Sequence, residues 1–332
     1  MQEKQVALVI PTIRKDSFEQ FMVQWGSMLL KCLVIVVEDN PNKTLTGIDK
    51  FYPDSEYYSW GDIDNELGKD SWIISRRNSG IRSYGFIKAL QHKNIKYIIS
   101  LDDDCYPDMD DYNYDFVGSH IENLDKLSRW MSTYNSVKVR GVPFENKGSS
   151  DKVMINHGMW TGNLDLDAIT EINKGRGDYS GLSSDNNIFY GIVPQGIYFP
   201  MCSMNFSFKR EVTPLMYMPP MGQGQPYDRF DDIWAGVFAK KICDHLGYYI
   251  KSGSPMIFHS RASDKYVNLK KECSGYKINE YLWEFVDKVN LTSNNFSDCY
   301  VELLHKLQIA DEYWDKLREA SKIWVNITRN LI

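Results

Sequence analysis

One segment decides the fold of this chain: Tyr97-Ile98-Ile99-Ser100-Leu101-Asp102-Asp103-Asp104-Cys105. Its first five residues are mostly apolar or β-branched, which is typical of a buried strand in a parallel sheet. Three aspartates follow, and adjacent carboxylates repel one another unless a cation lies among them. Open α/β sheets bind ligands at the carboxyl ends of their strands, and carboxylate oxygens suit Mg²⁺ or Mn²⁺. The segment therefore predicts either a divalent-metal site or a solvated acidic loop, and on its own it favours neither.

Alternating strand and helix patterns surround this segment. The apolar runs at residues 6–10 and 32–37 predict buried strands, and the helical spacing of residues 17–31 lies between them. Strand, helix and strand in this order predict a parallel pair with a right-handed crossover. A short strand at 72–75 and a helix at 79–92 then lead to the strand before the aspartates. The sequence therefore predicts an α/β protein with a Rossmann-type, mostly parallel sheet flanked by helices.

The first two predicted strands deliver polar residues to the same edge of the sheet. Pro11-Thr12-Ile13-Arg14 follows the first strand, and Glu38-Asp39-Asn40-Pro41 follows the second. No Gly-x-Gly-x-x-Gly pattern follows the first strand, so the dinucleotide-binding fingerprint is absent from the sequence. Asp39 lies where an acidic side chain reaches a base or a ribose, but an aspartate in Asp-Asn-Pro also forms turns. Both interpretations of Asp39 stay open.

The composition argues against several classes of protein. The chain has 332 residues, 43% of them hydrophobic, which is enough to bury a large core. A formal net charge of −6, without a basic stripe interleaved with aromatic residues, argues against nucleic-acid binding. The six cysteines form no Cys-x-x-Cys pair, which argues against a structural zinc site or a disulfide scaffold. Because we find neither a signal peptide nor an apolar run of about 18 residues, we expect a cytoplasmic protein without a membrane span.

Two groups of charged residues accompany predicted elements in the second half of the chain. Asp231 and Asp232 fall in the first turn of a predicted helix, after a glycine-bearing loop. They either complement the helix dipole or present a carboxylate to a sugar hydroxyl. Strands are also predicted at 199–208, 248–252 and 256–258. His259 directly follows the last of them, and Lys270 and Lys271 come later in the chain. This region predicts a metal ligand and phosphate contacts, although a lone histidine is more often structural.

The remaining patterns predict one compact unit. Residues 173–187 are rich in Gly, Ser, Asp and Asn, and they predict either a mobile lid or an insertion. Helical patterns continue from residue 277 to the end of the chain. We therefore divide the chain into an α/β domain at 1–275 and a helical C-terminal cap at 276–332 that packs on it.

Several collinear strings carry a resemblance to a known family. They extend from about Val6 to Glu272, and several are unusual strings that do not arise from generic strand–helix chemistry. The strings are Val9-Ile10-Pro11-Thr12-Ile13-Arg14, Asp102-Asp103-Asp104-Cys105, Arg140-Gly141 with Pro143-Phe144, His157-Gly158 with Trp160, Phe199-Pro200-Met201-Cys202, Met221-Gly222 with Gly224-Gln225-Pro226, Asp231-Asp232 with Trp234-Ala235-Gly236, Ile242-Cys243-Asp244-His245-Leu246-Gly247, His259-Ser260, and Val267-Asn268-Leu269-Lys270-Lys271-Glu272. On these residues the chain resembles the reversibly glycosylated polypeptides, also called UDP-arabinopyranose mutases.

The resemblance implies a glycosyltransferase-A-like fold and a metal-dependent reaction on a nucleotide sugar. Members of the family interconvert UDP-arabinopyranose and UDP-arabinofuranose. By this resemblance, Asp102, Asp104 and His259 would hold a Mn²⁺ or Mg²⁺ ion. Asp231 and Asp232 would face the sugar, where a carboxylate is able to move a proton between hydroxyl groups.

The resemblance also assigns an adduct site and nucleotide contacts. The family's glycosylated arginine falls on Arg140, whose alternative role is to clamp the diphosphate. A second arginine of the family motif is absent here, and Lys147 lies near its position; lysine keeps the charge but loses the fork geometry. Arg82 is expected to be a second clamp of the diphosphate. Its alternative role is that of an ordinary surface arginine. Nucleotide contacts are expected from Pro11, Thr12, Arg14, Asp39, Arg82, Asp103 and Lys270.

Four functions stay open at this point. The loops at 145–152 and 173–187 differ from the family pattern, so the same ring contraction on a GDP- or dTDP-linked sugar is an alternative. A glycosyltransferase with a separate acceptor is another, and a non-catalytic sensor in a polysaccharide assembly complex is the last. The presence of Asp102, Asp104 and His259 argues against the sensor. We expect a UDP-sugar substrate, a role in cell-wall polysaccharide biosynthesis, no nucleic-acid partner, and a chain that is free to form a homo-oligomer.

Overall fold

The strand that carries the three aspartates is one of nine within the described part of the chain. This computed structural model describes residues 4–108, 114–126, 140–141, 143, 151–174, 191–260 and 263–332. The strands in these ranges are β1 (Val6–Thr12), β2 (Leu33–Glu38), β3 (Glu56–Tyr58), β4 (Tyr97–Leu101), β5 (Cys105–Pro107), β6 (Val153–Gly162), β7 (Gly191–Ile192), β8 (Asn205–Lys209) and β9 (Tyr249–His259).

Helices flank these strands. In the same ranges they are α1 (Lys15–Trp25), α2 (Ile48–Phe51), α3 (Trp60–Leu67), α4 (Arg82–Gln91), α5 (Phe116–Asp125), α6 (Ala168–Lys174), α7 (Asp231–Leu246), α8 (Lys265–Glu272), α9 (Tyr276–Asp287), α10 (Phe296–Lys306) and α11 (Glu312–Leu331). Short 3₁₀ turns cover Gly26–Leu29, Gly68–Ile73, Ser79–Ile81 and Arg210–Leu215.

The strands form one mixed sheet in the order β3-β2-β1-β4-β8-β6-β9-β5, with β7 paired to β9. β3, β2, β1 and β4 are parallel neighbours, as the strand–helix–strand pattern predicts. β8 is antiparallel to both β4 and β6, β6 is parallel to β9, and β5 is antiparallel to β9. The prediction of a glycosyltransferase-A-like α/β fold is confirmed.

Both faces of the sheet are buried, because side chains along each central strand alternate between two cores. In β1, Ala7 and Val9 face a core shared with α4, α7 and the C-terminal helices. Leu8 and Ile10 face a second core that contains Phe18 and the rest of the apolar side of α1. A strand that is buried on both faces has a continuous run of apolar residues. This is why the sequence pattern predicts β1.

Three local predictions differ from the structure. The predicted strand at 72–75 is wrong: the chain there is partly a 3₁₀ turn, and the third parallel strand is β3. Ile73 and Ile74 are apolar because they pack into the core, without belonging to a strand. The two short strands predicted at 248–252 and 256–258 are one continuous strand, β9. The strand predicted at 199–208 is shorter and is β8.

The C-terminal helices pack on the core of the sheet domain. Trp324 of α11 donates its indole N–H to the carbonyl of Pro214 at 3.1 Å, and Arg210 donates to the carbonyl of Leu331 at 2.6 Å. Trp314 and Trp234 stack with ring centroids 5.5 Å apart. The division at residue 275 stays a prediction. Among the helices of the described ranges, none combines the length and apolarity that a membrane crossing needs.

Candidate active site

A cavity of about 470 Å³ lies at the carboxyl ends of β1, β2 and β4, where open α/β sheets bind ligands. The first turn of α7 and the end of α8 complete its wall. Ten of the predicted site residues line it: Pro11, Thr12, Arg14, Asp39, Asp102, Asp103, Asp104, Asp231, Asp232 and His259. The cavity therefore collects residues that are more than 200 positions apart in the sequence.

Two arginines lie against the three adjacent aspartates, Arg82 beside Asp102 and Arg14 beside both Asp103 and Asp104. Oδ1 of Asp102 accepts a hydrogen bond from Arg82 at 2.7 Å. Asp103 accepts from the hydroxyl of Thr12 at 2.7 Å and pairs with the Arg14 guanidinium at 2.6 Å. Burial raises the pKa of Asp103 to about 6, although Arg14 and Thr12 oppose the rise. The middle carboxylate thus fixes the β1 edge of the cavity.

Asp104 and His259 form the pair that suits a cation. Nε2 of His259 lies 3.9 Å from Oδ1 of Asp104. Nδ1 of His259 is 2.7 Å from the carbonyl of Asn163, and because a carbonyl only accepts, Nδ1 is the donor and Nε2 is the nitrogen that carries the lone pair in the neutral imidazole. In the described residues no three His, Cys, Asp or Glu side chains converge as a ready metal site. The donor set fits a divalent cation whose remaining ligands are water or phosphate oxygens.

Arg82 lies beneath Asp102 and has no exposed surface. Its Nε donates to the carbonyl of Ser79 at 3.0 Å, and its Nη1 donates to Ser100 Oγ and to the carbonyl of Ser203, both at 2.6 Å. The surface-arginine alternative is therefore wrong. Because the guanidinium is enclosed and outside the described cavity lining, any effect on a ligand passes through the groups that it holds.

Asp39 supports the neighbouring backbone from within the cavity wall. Its carboxylate accepts hydrogen bonds from the Trp60 indole N–H at 2.8 Å and from the backbone N–H groups of Arg77 and Asn78 at 3.0 and 2.9 Å. Burial raises the pKa of Asp39, and these donors oppose the rise. Asp39 is thus a cavity-lining residue and also the support of the turn that carries Arg77.

Arg77 is a cavity residue that the sequence does not reveal. Its backbone has a φ of 54°, a left-handed conformation that side chains rarely adopt. The guanidinium carbon lies 5.1 Å from the centroid of the Trp60 ring, and Nη1 donates to Asn40 at 3.3 Å. Among the cations in the described lining, Arg77 is the one for which no carboxylate lies within ion-pair distance. It is therefore the cation most available to an anionic ligand.

Asp231 and Asp232 begin α7, where they complement the helix dipole, and both line the cavity. Contact of either carboxylate with a sugar stays a prediction. Asp232 accepts from the backbone N–H and the hydroxyl of Ser203, each at 2.8 Å, and from the Ile233 N–H at 2.9 Å. Asp231 is buried, and its Oδ2 finds no hydrogen-bond partner among the described residues. Burial and the charge of Asp232 raise the pKa of Asp231 to about 7; burial also raises that of Asp232.

Two consecutive ion pairs join α8 to the loop before α7. Asp228 pairs with Lys271 at 3.3 Å, and Arg229 pairs with Glu272 at 2.8 Å. All four residues line the cavity. Lys270, the predicted phosphate contact, lies outside the described lining, whereas its neighbour Lys271 is part of it. The phosphate contact of Lys270 stays a prediction.

Comparison with known proteins identifies the family. The model for "Reversibly glycosylated polypeptide" matches residues 1–331. The chain belongs to this family. The resemblance inferred from the sequence strings is confirmed over the whole chain, including the C-terminal helices.

Reversibly glycosylated polypeptides of plants are similar to this chain along almost its full length. "UDP-arabinopyranose mutase 1" of Arabidopsis thaliana is 36% identical over 341 residues, which cover 96% of this chain and 90% of that protein. "Probable UDP-arabinopyranose mutase 4" of the same species is 35% identical over 98% of this chain and 90% of its own length. "UDP-arabinopyranose mutase 1" of Oryza sativa subsp. japonica is 34% identical over 96% and 88%, respectively.

The resemblance assigns two residues to the sugar adduct, Arg140 and Lys147. Arg140 is exposed and is not among the described lining residues. Lys147 lies outside the described residues. The roles of both residues stay predictions.

The cavity is strongly acidic. Its described lining holds ten aspartate or glutamate side chains but four arginine or lysine side chains, a formal excess of six negative charges. A diphosphate entering such a cavity is repelled unless cations accompany it. The electrostatics therefore favour a ligand that binds together with a divalent cation.

Proposed function

We propose that this chain is a UDP-arabinopyranose mutase that interconverts UDP-arabinopyranose and UDP-arabinofuranose. The similarity to a protein of that name, at 36% identity over 96% of the chain, is the observation that carries the proposal. The position of the cavity at the carboxyl ends of the parallel strands supports it. None of these observations favours a GDP- or dTDP-linked sugar, or transfer to a separate acceptor.

Ring contraction exchanges one carbon–oxygen bond of the sugar for another. The bond between C1 and the diphosphate breaks, and its electron pair leaves with UDP. O4 then bonds to C1 and loses its proton, O5 takes up a proton as the C1–O5 bond opens, and the UDP oxygen bonds to C1 again. No atoms are gained or lost, so the reaction needs no oxidant or reductant. The chain has to retain UDP throughout and to carry one proton from O4 to O5.

We assign the proton transfer to Asp231 and Asp232. These carboxylates line the cavity, and the raised pKa of Asp231, about 7, suits uptake and release of a proton near neutral pH. Arg140 is proposed as the site of a sugar adduct, with Lys147 as a neighbouring cation. These two assignments rest on the family resemblance.

We further propose that Asp102, Asp104 and His259 hold Mn²⁺ or Mg²⁺. The proton on Nδ1 of His259 leaves Nε2 free to bind a cation near Asp104, which supports this assignment. When bound, such an ion neutralises charge on the departing diphosphate. Arg82 would hold the Asp102 carboxylate in place.

The nucleotide is expected at the carboxyl ends of β1 and β2. Pro11, Thr12 and Arg14 after β1, and Asp39 after β2, are proposed to contact it, with Asp103 fixing Arg14. We also propose that the protein is cytoplasmic and supplies cell-wall polysaccharide biosynthesis. All six cysteines are free, and such thiols are typical of a reducing compartment. A homo-oligomer is proposed as its assembly state.

Incubation of the purified protein with UDP-arabinopyranose and Mn²⁺, followed by chromatography and NMR, tests the proposal. We expect UDP-arabinofuranose to accumulate to a constant ratio, and the product to be lost on chelation and in Asp104→Ala. Slow release of free UDP without any isomer would contradict mutase activity and would direct the assay to other nucleotide sugars. Retention of activity in Asp104→Ala would refute the metal assignment alone.

A further inference from the structure

A chain of hydrogen bonds joins the two acidic groups of the cavity. Arg82 donates through Nη2 to Asp102 at 2.7 Å and through Nη1 to the carbonyl of Ser203 at 2.6 Å. Ser203 in turn donates both its backbone N–H and its hydroxyl to Oδ2 of Asp232, each at 2.8 Å. A carboxylate of the aspartate triplet and a carboxylate of α7 are therefore held by one buried arginine and one serine.

Ser203 donates hydrogen bonds to Asp232, one of the two neighbouring carboxylates of α7. Oδ2 of Asp232 receives two hydrogen bonds from this residue, whereas Oδ2 of Asp231 has no partner among the described residues. Hydrogen bonds donated to a carboxylate stabilise its ionised form. Ser203 is buried, with 2% of its surface exposed, so water does not replace these donors readily. Of the two side chains, Asp232 is the one with a fixed orientation.

We propose that Ser203 is a positioning residue that holds Asp232 as the ionised carboxylate facing the sugar, and that Arg82 fixes Ser203 in turn. This inference rests on the proposed mutase function and assigns separate tasks to the two aspartates. Asp232 accepts the proton that leaves O4 of the sugar. Asp231, to which the Asn78 amide donates at 3.5 Å, stores or returns a proton. Ser203 and Arg82 act through Asp232 and do not contact the reacting atoms.

Several charged groups face Asp232, and their effects have to be considered together. Asp231 on the same helix and Asp165 after β6 are acidic and disfavour its ionised form. Arg82 from α4 and Arg229 from the preceding loop are cations that favour it. The thiol of Cys202 is a further titratable neighbour in the described chain, and burial raises its pKa well above its ordinary value, so it stays neutral. Loss of the Ser203 hydroxyl therefore leaves the acidic neighbours less well opposed.

Ser203→Ala tests the inference, with Ser203→Thr as the conservative variant. Ser207→Ala is the matched control, because Ser207 is also buried, on the strand that follows, and its hydroxyl finds no partner in the described chain.

We expect Ser203→Ala to lower kcat for UDP-arabinopyranose about tenfold, since one hydrogen bond to a charged group is lost. KM for the nucleotide sugar should stay within about twofold, because the residue does not bind the ground state. The acidic limb of the kcat profile should move to higher pH by about one unit. Ser203→Thr should restore most of kcat, and Ser207→Ala should resemble the wild type.

A second measurement does not depend on activity. In protein labelled with ¹³C at aspartate carboxyl carbons, the signal missing from Asp232→Asn identifies Asp232. We expect its midpoint of titration to lie at higher pH in Ser203→Ala than in the wild type, and to be unchanged in Ser207→Ala. An unchanged midpoint in Ser203→Ala would overturn the inference, as would a change in KM with kcat preserved. If the wild type forms no UDP-arabinofuranose but the midpoint moves as expected, the proposed function fails and the positioning of Asp232 by Ser203 stands.

Discussion

Nζ of Lys271 lies 3.3 Å from Oδ2 of Asp228 within the cavity lining, whereas the adjacent Lys270 is outside the described lining. These two lysines on α8 differ in position but not in charge, so they form a matched pair. We expect Lys271→Gln to weaken UDP binding about tenfold, because a diphosphate takes the place of Asp228 as the partner of the ammonium group. Lys270→Gln should change the Kd by less than about twofold.

Isothermal titration calorimetry with UDP at low and high salt measures both variants. The loss in Lys271→Gln should be larger at low salt, because the contact is between charges. Equal losses in the two variants would mean that α8 contributes only a general positive field. That result would remove Lys271 from the site.

Arg77 offers a second matched pair, with its neighbour Arg76. Both guanidinium groups lie about 5 Å from the centroid of the Trp60 ring, but Arg76 pairs with Asp64, whereas Arg77 lines the cavity. We expect Arg77→Gln to raise the Kd for UDP about tenfold and Arg76→Gln to leave it nearly unchanged. Thermal unfolding of both variants checks that the stacked Trp60 is retained. A loss of UDP affinity in Arg76→Gln alone would contradict the assignment of Arg77.

The sequence predicts those parts of the site that follow from local pattern. An apolar strand followed directly by Asp102, Asp103 and Asp104 is a local signal, because the end of a strand and the acidic residues are adjacent in the chain. The edge to which β1 and β2 deliver Thr12 and Asp39 follows from parallel pairing, which a strand–helix–strand order also predicts. These features are therefore predictable without knowing how distant segments pack.

The features that the sequence does not predict depend on tertiary structure. Lys270 and Lys271 are consecutive, so their side chains point about 100° apart around the helix. The packing of α8 decides which of them faces the cavity. The left-handed backbone of Arg77 is imposed by Asp39, a residue 38 positions earlier. Ser203 is recognisable as a site residue only after α7 has brought Asp232 beside it. Each of these depends on segments that are far apart in the chain.

The pH dependence of stability gives a prediction for Asp231. Its pKa is raised from 3.8 to about 7 by burial and by Asp232, so the folded state binds this proton more tightly than the unfolded chain does. Both states are protonated below the lower value and ionised above the higher one, so folding loses stability as the pH rises from about 4 to about 7. Asp231→Asn removes this loss. We expect its free energy of unfolding, relative to the wild type, to increase by on the order of 2 kcal/mol between about pH 5 and pH 8.

Urea unfolding of the two proteins at several pH values measures this difference. The exposed Asp151 supplies a control, since Asp151→Asn should follow the wild type at every pH. The assignment would be wrong if the difference for Asp231→Asn were the same throughout the range. Activity should fall in this variant although the protein becomes more stable, because the carboxyl group is lost from the cavity.

Gly80 lies in the turn that precedes α4, where three oxygen atoms surround it closely. A Cβ atom added there would lie 2.8 Å from Oγ of Ser75, 2.9 Å from Oδ1 of Asn78 and 3.1 Å from Oδ2 of Asp231. These are shorter than ordinary van der Waals contacts, and Oδ1 of Asn78 also accepts the Gly80 N–H at 2.7 Å. Gly80→Ala would therefore push the turn away from α7. We expect a loss of stability of about 2 kcal/mol, with weaker UDP binding.

The control for this substitution is Gly61→Ala in α3. There the nearest atoms to an added Cβ are ordinary contacts at 3.7 and 3.9 Å, from the carbonyl of Pro41 and Oγ of Ser59. Alanine in a helix is favoured over glycine by up to about 1 kcal/mol, so this variant should be as stable as the wild type or more so. Chemical denaturation measures the stability of both variants, and titration with UDP measures their affinity. If Gly80→Ala were neutral, the oxygens of Ser75, Asn78 and Asp231 would have room to separate, and Asp231 would not be held against this turn.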